Sequence, residues 1–299
     1  MKETLIKPAK PFLKWAGGKT QLLEDIRKSL PENFEEKETF IEPFVGSGAV
    51  LFWMLANYPN IKKAVINDVN TDLIITFKEI KNNVAGVISQ LKIWEDEYHQ
   101  FKTDADARKV YYYEKRTLFN SRSEVEVTKT ALFIFLNRTC FNGLYRVNKS
   151  NEFNVPIGSY KTPLICDEDN LYAVSEVLQR VEILNGDFEE TLKHVEGQTF
   201  FYFDPPYKPL SESSSFNSYA KGGFNDPEQI RLRDYCTELH KEGHTWVLSN
   251  SDVKGWVEDG DFFDNLYADY TISRVLARRA INSKSDGRGK LNELLIRNY

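Results

Sequence analysis

At 299 residues with a formal net charge of −5, the chain is long enough for one large domain or one domain carrying a smaller one, and its acidic balance speaks mildly against phosphate binding. Hydrophobic residues make up 41%, no apolar run reaches membrane-spanning length and the amino terminus lacks the apolar stretch of a signal peptide, so a soluble cytoplasmic protein is expected. Cys140, Cys166 and Cys236 are widely spaced, as suits reduced thiols, and neither they nor the four histidines show metal-site spacing.

The first informative stretch is Pro11-Phe12-Leu13-Lys14-Trp15-Ala16-Gly17-Gly18-Lys19-Thr20, followed by an amphipathic segment through Leu22, Leu23, Ile26 and Leu30 that stops at Pro31. Glycines leading into a helix start leave N–H groups that favour an anion. Gly18-Lys19-Thr20 invites a nucleoside-triphosphate reading, but a phosphate loop needs glycine five residues before Gly18, and Leu13 stands there. An ATPase is therefore rejected. Residues 39–43 read as a short strand, Phe44-Val45-Gly46-Ser47-Gly48 as a turn into an apolar helix, and 64–67 as a second strand ending at Asp68, 20 residues after Gly48. A glycine turn lets backbone approach a ligand, and an acid at the next strand end can accept both ribose hydroxyls, as in the dinucleotide fold.

From 71 to 166 the texture changes to long helical stretches rich in charge and tyrosine, read as an inserted domain whose core includes Leu132, Phe133, Phe135 and Leu136. Within it, residues 137–148 and 153–160 carry Gly143, Gly158, asparagines and Pro156, the marks of a hairpin with amides, an arginine and aromatics at its tip. Such a hairpin is often no more than a surface turn, yet arginine can grip guanine O6 and N7, asparagine suits adenine, and leucine or proline can meet a thymine methyl or wedge into a base step.

The alternating α/β pattern then resumes. Residues 181–184 read as a strand ending at Asn185-Gly186-Asp187-Phe188, where the acid and the ring offer an edge acceptor and an apolar face to a purine. Helix capping by Asp187, with Glu190 three residues on, is the alternative. The aromatic run Phe200-Phe201-Tyr202-Phe203 reads as a buried strand and stops at Asp204-Pro205-Pro206-Tyr207, because consecutive prolines cannot continue a sheet ladder. At average residue frequencies that string arises by chance in about one chain in a thousand of this length, so it is not background. A carboxylate and a proline carbonyl on a rigid backbone match the two hydrogens of a planar amino group, and Tyr207 supplies a ring for a flat base. The serine- and glycine-rich stretch 210–225 reads as a lid, Asp226-Pro227 as the N-cap and first residue of a helix reaching Lys241, and 245–248 and 291–297 as further strands. Arg274, Arg278, Arg279, Lys284, Arg288 and Lys290 face one acid, Asp286, which makes this run either a solvated face or a phosphate contact.

DPPY resembles the amino-methyltransferase motif of S-adenosylmethionine-dependent enzymes, and from Pro11 nearly to Tyr299 the chain is similar to the Dam-type (DpnII-like, alpha-class) DNA adenine N6-methyltransferases. The resemblance implies an α/β fold: a Rossmann-like S-adenosylmethionine-dependent methyltransferase sheet, residues 1–70 and 167–299, with an inserted, mainly helical DNA-recognition domain, 71–166, containing a β-hairpin loop. By its K-W-x-G-G-K match it sets Trp15 and Lys19 against S-adenosyl-L-methionine. By F-x-G-x-G it adds Phe44, Gly46 and Asp68, and it places Asp187 and Phe188 at the donor's adenine. Asp204, Pro205, Pro206 and Tyr207 become the catalytic turn, with Asp204 also near the donor. N-G-L-x-R followed by F-N-V-P-x-G-x-Y is similar to the recognition loop of the GATC-methylating branch, which implies that Leu144, Arg146 and Pro156 read the site, Asn142 lies at the DNA and Phe141 fills space near a displaced base. The implied partner is double-stranded DNA, with no membrane and no metal. A companion restriction endonuclease acting on the same site would suit such an enzyme, and a monomer is the default. N4-cytosine, RNA or protein-glutamine methylation, and a catalytically silent DNA-binding relative, are the competing readings.

Overall fold

The computed structural model describes residues 8–210, 224–278 and 290–299. In chain order its elements are α1 (Leu23–Lys28), β1 (Thr39–Glu42), α2 (Ala49–Asn57), β2 (Lys63–Asp68), α3 (Thr71–Gln100), α4 (Ala105–Ser121), α5 (Glu126–Thr139) and α6 (Glu168–Leu178). There follow β3 (Val181–Asn185), β4 (Thr199–Phe203), α7 (Asp226–Lys241), β5 (Thr245–Ser251), α8 (Phe262–Leu266), β6 (Thr271–Arg278) and β7 (Lys290–Arg297). The strands form one seven-stranded sheet of order β3-β2-β1-β4-β5-β7-β6. Parallel pairs join β1 to β2, β1 to β4 and β4 to β5, whereas β7 runs antiparallel to both β5 and β6. This is the expected α/β, Rossmann-like sheet, with a reversal of strand order at β1, the place where such sheets bind ligands beyond their carboxyl ends.

Strand β4 shows why this sequence makes this sheet. All five of its residues are buried, as a parallel strand covered on both faces requires. Alternation sends Phe201 and Phe203 to one face, where their rings stack at 5.7 Å and meet Tyr235 of α7. Phe200 lies on the other, against Phe34 and Phe40. Each such ring removed from water contributes about 1.5–3 kcal/mol. Among the described residues no helix is long and apolar enough to cross a membrane.

By packing, the chain divides into two compact units, one of residues up to Gly18, Gly46–Asn57 and Asn70–Asn185, the other of Lys19–Val45, Tyr58–Val69 and Gly186 onward. The first unit thus extends beyond the expected 71–166 segment, taking in α2, α6, β3 and the stretch around Trp15. In it α3 packs on α5 and α6, and α4 on α5. Leu132, Phe133, Phe135 and Leu136 are all buried, with Phe135 edge-on to Trp94, Tyr98 and Tyr111. Helix α3 breaks at Asn83, whose Oδ1 accepts from Gly86 N and restarts the helix. Cys140, Cys166 and Cys236 are free and buried.

Two local expectations change, at the cap of α7 and at Arg274, while the expected hairpin is present. The cap of α7 is Asn225, whose side chain accepts from Glu228 N, so Asp226 is the first helical residue and Pro227 the second. Asn and Asp cap equally well, and the sequence offers them side by side. The hairpin of 137–160 carries two isolated antiparallel bridges, Cys140 with Ile157 and Val147 with Phe153, and opens with a 3-10 turn at Phe141–Gly143. Arg274 belongs to β6 and is held by Asp252 and Asp264, so it is committed to the fold and not offered to phosphate. Of the expected lid at 210–225, residues 211–223 lie outside the described residues, as does the basic stretch at 279–289.

One buried amide ties the hairpin base to the first stretch of chain. Asn137 accepts from Lys14 N and donates to the carbonyls of Lys14 and Gly143 at 2.8 and 3.0 Å. Gly143 has a φ of 64°, and a Cβ there would stand 2.5 Å from the Lys14 side chain. Asn137→Ala should therefore lower stability by roughly 1–3 kcal/mol for each buried group left unpaired, seen as a lower urea midpoint at unchanged slope. An unmoved midpoint would mean water replaces the amide without loss.

Candidate active site

In the sheet unit the expected residues gather at the carboxyl ends of the strands. Asp204 follows β4 directly, and the parallel register that sets Phe203 beside Leu248 brings Ser249 next to it. Ser249 Oγ lies 3.1 Å from Asp204 Oδ1 and 3.2 Å from the Phe203 carbonyl, so its single proton serves one or the other, while it accepts from Tyr202 Oη. Lys19 is buried and its Nζ lies 2.9 Å from the same Oδ1. The ammonium also stands 4.5 Å from the centroid of the Tyr207 ring. Burial raises the Asp204 carboxyl above its ordinary range, with the nearby Glu293 carboxylate adding to the rise, and Lys19 and Ser249 oppose it without cancelling it.

The proline turn after Asp204 is fastened by buried amides that no motif announced. Gln229 of α7 donates to the Pro206 carbonyl at 3.1 Å, and Asn250 donates to Gln229 Oε1. Asn250 Oδ1 in turn accepts from Lys208 N and Ser251 N, and Ser251 Oγ donates to the Lys208 carbonyl. Both amides are fully buried, so the turn is tied to the core beneath it. Tyr207 is half-buried and donates its hydroxyl to Glu293 of β7 at 2.7 Å. Burial first, then the Asp204 and Glu293 carboxylates, pushes its phenol well above the ordinary value, so it stays protonated as a donor.

Further along the same strand ends, Asp68 closes β2 and is half-buried. Phe44 and Phe188 lie 5.5 Å apart, with Phe224 edge-on to both. Asp187 caps the 3-10 turn Phe188–His194 by accepting from Glu189 N, as the alternative reading held. It is also gripped in a fork by Arg231, which sequence reasoning missed: NH1 and NH2 reach its two oxygens at 2.9 and 2.7 Å. The same guanidinium lies 4.2 Å from the Phe188 ring centroid. A carboxylate at the end of β2 and apolar rings beside a second carboxylate are the donor set a nucleoside needs, so these residues fit the nucleoside part of the methyl donor.

The helical unit carries the remaining expected residues. Trp15 stacks on Tyr145 at 5.6 Å and leans on Phe133. Gly46, with a φ of 49°, is required beside it, since a Cβ there would come within 3.1 Å of the indole. Phe141, Asn142, Leu144, Arg146 and Pro156 share one loop, in which Phe141 N donates to the Pro156 carbonyl at 2.9 Å. Phe141, Asn142, Arg146 and Pro156 are exposed and Leu144 is half-buried. Arg146 Nε donates to Asn154 Oδ1 at 2.6 Å. Between Leu144 and Arg146, Tyr145 is buried and donates to Asp72 Oδ2, whose other oxygen takes Arg122.

The Arg231 hydrogen bonds hold the Asp187 carboxyl below the ordinary carboxylate range. Because the folded carboxyl binds its proton less tightly than the unfolded one, the pair stabilises the fold above the ordinary carboxylate range, and that contribution is lost as pH falls through the lowered value. Both side chains are about a third or more exposed, 34% and 44%, so solvent screening keeps the effect small. Arg231→Met should flatten the acid limb of Tm against pH; an unchanged limb would show that the pair does not contribute.

The family profile of the D12 class N6 adenine-specific DNA methyltransferases matches residues 15–281. The chain is 50% identical over 295 residues, 97% of its length and 99% of the relative's, to a Type II methyltransferase of Methanocaldococcus jannaschii. It is 40% identical over 297 residues, 97% and 95% of the two lengths, to a Type II methyltransferase of Lactococcus lactis subsp. cremoris. A DNA adenine methylase of Haemophilus influenzae is 37% identical over 288 residues, 96% of this chain and 92% of that one. With the strand-end carboxylate and its proline turn in place, these matches show that the chain belongs to the D12 class of N6 adenine-specific DNA methyltransferases, enzymes whose methyl donor is S-adenosyl-L-methionine.

Proposed function

We propose that the chain methylates adenine N6 in duplex DNA at 5′-GATC-3′, acting on an adenine turned out of the helix. The observation that carries this reading is the state of Asp204, a carboxylate fixed at the end of β4 with Lys19 and Ser249 both on Oδ1. Oδ2 is the oxygen left for a substrate donor. The Pro205 carbonyl is the second acceptor, because the Pro206 carbonyl is occupied by Gln229. Two acceptors on the two N6 hydrogens turn the nitrogen lone pair out of conjugation with the ring and toward an electrophile. Within a base pair that amine is inaccessible, hence the extruded base, with Tyr207 as its stacking ring.

Bound S-adenosyl-L-methionine supplies an electrophilic methyl on its sulfonium, so no covalent enzyme intermediate is needed. Asp68 would accept from its ribose hydroxyls, Phe44 and Phe188 would flank its adenine, and Asp187, oriented by Arg231, would accept from the adenine amine. Trp15, Lys19 and Gly46 complete the residues assigned to the donor. Asp204 aligns the amine, and the proton leaves after methyl transfer. On the DNA side, Leu144, Arg146 and Pro156 read the site, Asn142 lies at the DNA and Phe141 fills space near the displaced base. The exposure of Phe141, Asn142, Arg146 and Pro156 on one loop supports that reading, as does the Arg146 guanidinium already held by Asn154.

Labelled methyl should pass from S-adenosyl-L-methionine only into a GATC duplex, as N6-methyladenine, and not into a one-base variant or a duplex lacking adenine at the site. Label in every adenine-containing duplex would remove the site assignment. Asp204→Ala should abolish transfer while DNA affinity largely persists; normal turnover would end the proposed role. Arg146→Ala should lose discrimination at one guanine, a loss of about 1–3 kcal/mol, whereas uniform weakening on all sequences would make Arg146 a phosphate contact.

A further inference from the structure

Glu293 belongs to no motif, yet it touches the proline turn. It lies on β7 opposite Ser251 of β5, and Leu295 on the same strand lies opposite Ser249. One antiparallel pair of strands therefore carries two supports two residues apart: Ser249 under Asp204 and Glu293 under Tyr207. The phenol oxygen lies on the axis about which the ring spins, so the bond to Glu293 restrains the swing of the whole ring about χ1. The spin is limited by Lys19, whose ammonium faces the ring at 4.5 Å. Oxygen and face are thus held by two different elements of the sheet unit.

We propose that Glu293 is a positioning residue for methyl transfer, which by accepting the Tyr207 hydroxyl fixes the ring against which the target adenine stacks. The inference rests on the reading of Tyr207 as that stacking ring. The task needs an acceptor oxygen at this place on β7, which the Glu293 side chain supplies at 2.7 Å, so that the bond stays formed when a base presses on the ring. Glu293 touches neither the amine nor the donor in this scheme and acts only through the tyrosine.

The test is single-turnover methyl transfer, with donor Kd measured alongside, for the wild type, Tyr207→Ala, Tyr207→Phe, Glu293→Ala, Glu293→Gln and the Tyr207→Phe/Glu293→Ala double variant. Tyr207→Phe and Glu293→Ala should each slow transfer about tenfold to a hundredfold, the scale of a small misplacement at the reacting centre, with donor Kd changed less than about twofold. Glu293→Gln should stay within about threefold of the wild type, since its amide oxygen still accepts. The double variant should be no slower than the slower single, because both remove one bond. Losses that multiply in the double variant, or a Glu293→Gln rate as low as that of Glu293→Ala, would overturn the proposal by tracing the effect to charge or to general packing. Tyr207→Ala with wild-type rate would instead sink the stacking reading, and impaired Tyr207→Ala beside an unimpaired Glu293→Ala would sink the role of Glu293 alone.

Discussion

The ion pair between Lys19 and Asp204 is the contact on which the sheet unit's chemistry depends. The carboxylate closes a strand buried along its whole length, and the ammonium that meets it is itself buried. Neither charge is tolerable there alone, for removing one partner of such a pair leaves the other without compensation. The surroundings act in both directions: burial and Glu293 push the carboxyl toward protonation, while Lys19 and the Ser249 hydroxyl hold it back without cancelling the rise. A carboxylate fixed in this way can accept a hydrogen bond in one set direction, which under the proposed reading is what aligning an amine requires.

A balance of that kind survives only if the backbone does not give. Two prolines remove rotational freedom from the turn but also remove two N–H groups, so it cannot be held by its own ladder. The Pro206 carbonyl is instead taken by Gln229 of α7, and the Lys208 carbonyl and N–H that follow are taken by Ser251 and Asn250 of β5. Buried amide networks are stiff when every member is satisfied, and this one is satisfied from both sides of the turn.

Much of this was legible in the residues. An aromatic run cut by two prolines can be little else than a buried strand with a rigid end, and glycines at 46 and 48 mark a turn that no side chain could occupy. What could not be read were the supports. Ser249, Glu293, Gln229 and Arg231 act across strand pairs or between a helix and a strand end, and no local pattern records which distant residue a hydroxyl or a guanidinium will meet. Arg274 belongs to the same class: in the chain it is one cation of a basic run, whereas in the fold two aspartates from other elements claim it. The change of texture near residue 71 has a similar limit. Composition registers where helices become long and charged, but packing also draws α2 and the stretch around Trp15 into the helical unit, through contacts such as Trp15 on Tyr145 and Phe52 on Phe77.

Residues 144–146 alternate in exposure, with the buried Tyr145 anchored to Trp15 and Asp72 between a half-buried Leu144 and an exposed Arg146. Tyr145 is tied to Trp15 and Asp72, whereas the exposed Arg146 side chain bonds to Asn154 of the same loop, so a change at 146 should disturb folding less than one at 145. Under the proposed reading of 144, 146 and 156 as the residues that read the site, such a loop would let a lineage drift from one target sequence to another in single steps while the buried Tyr145 keeps the loop in place.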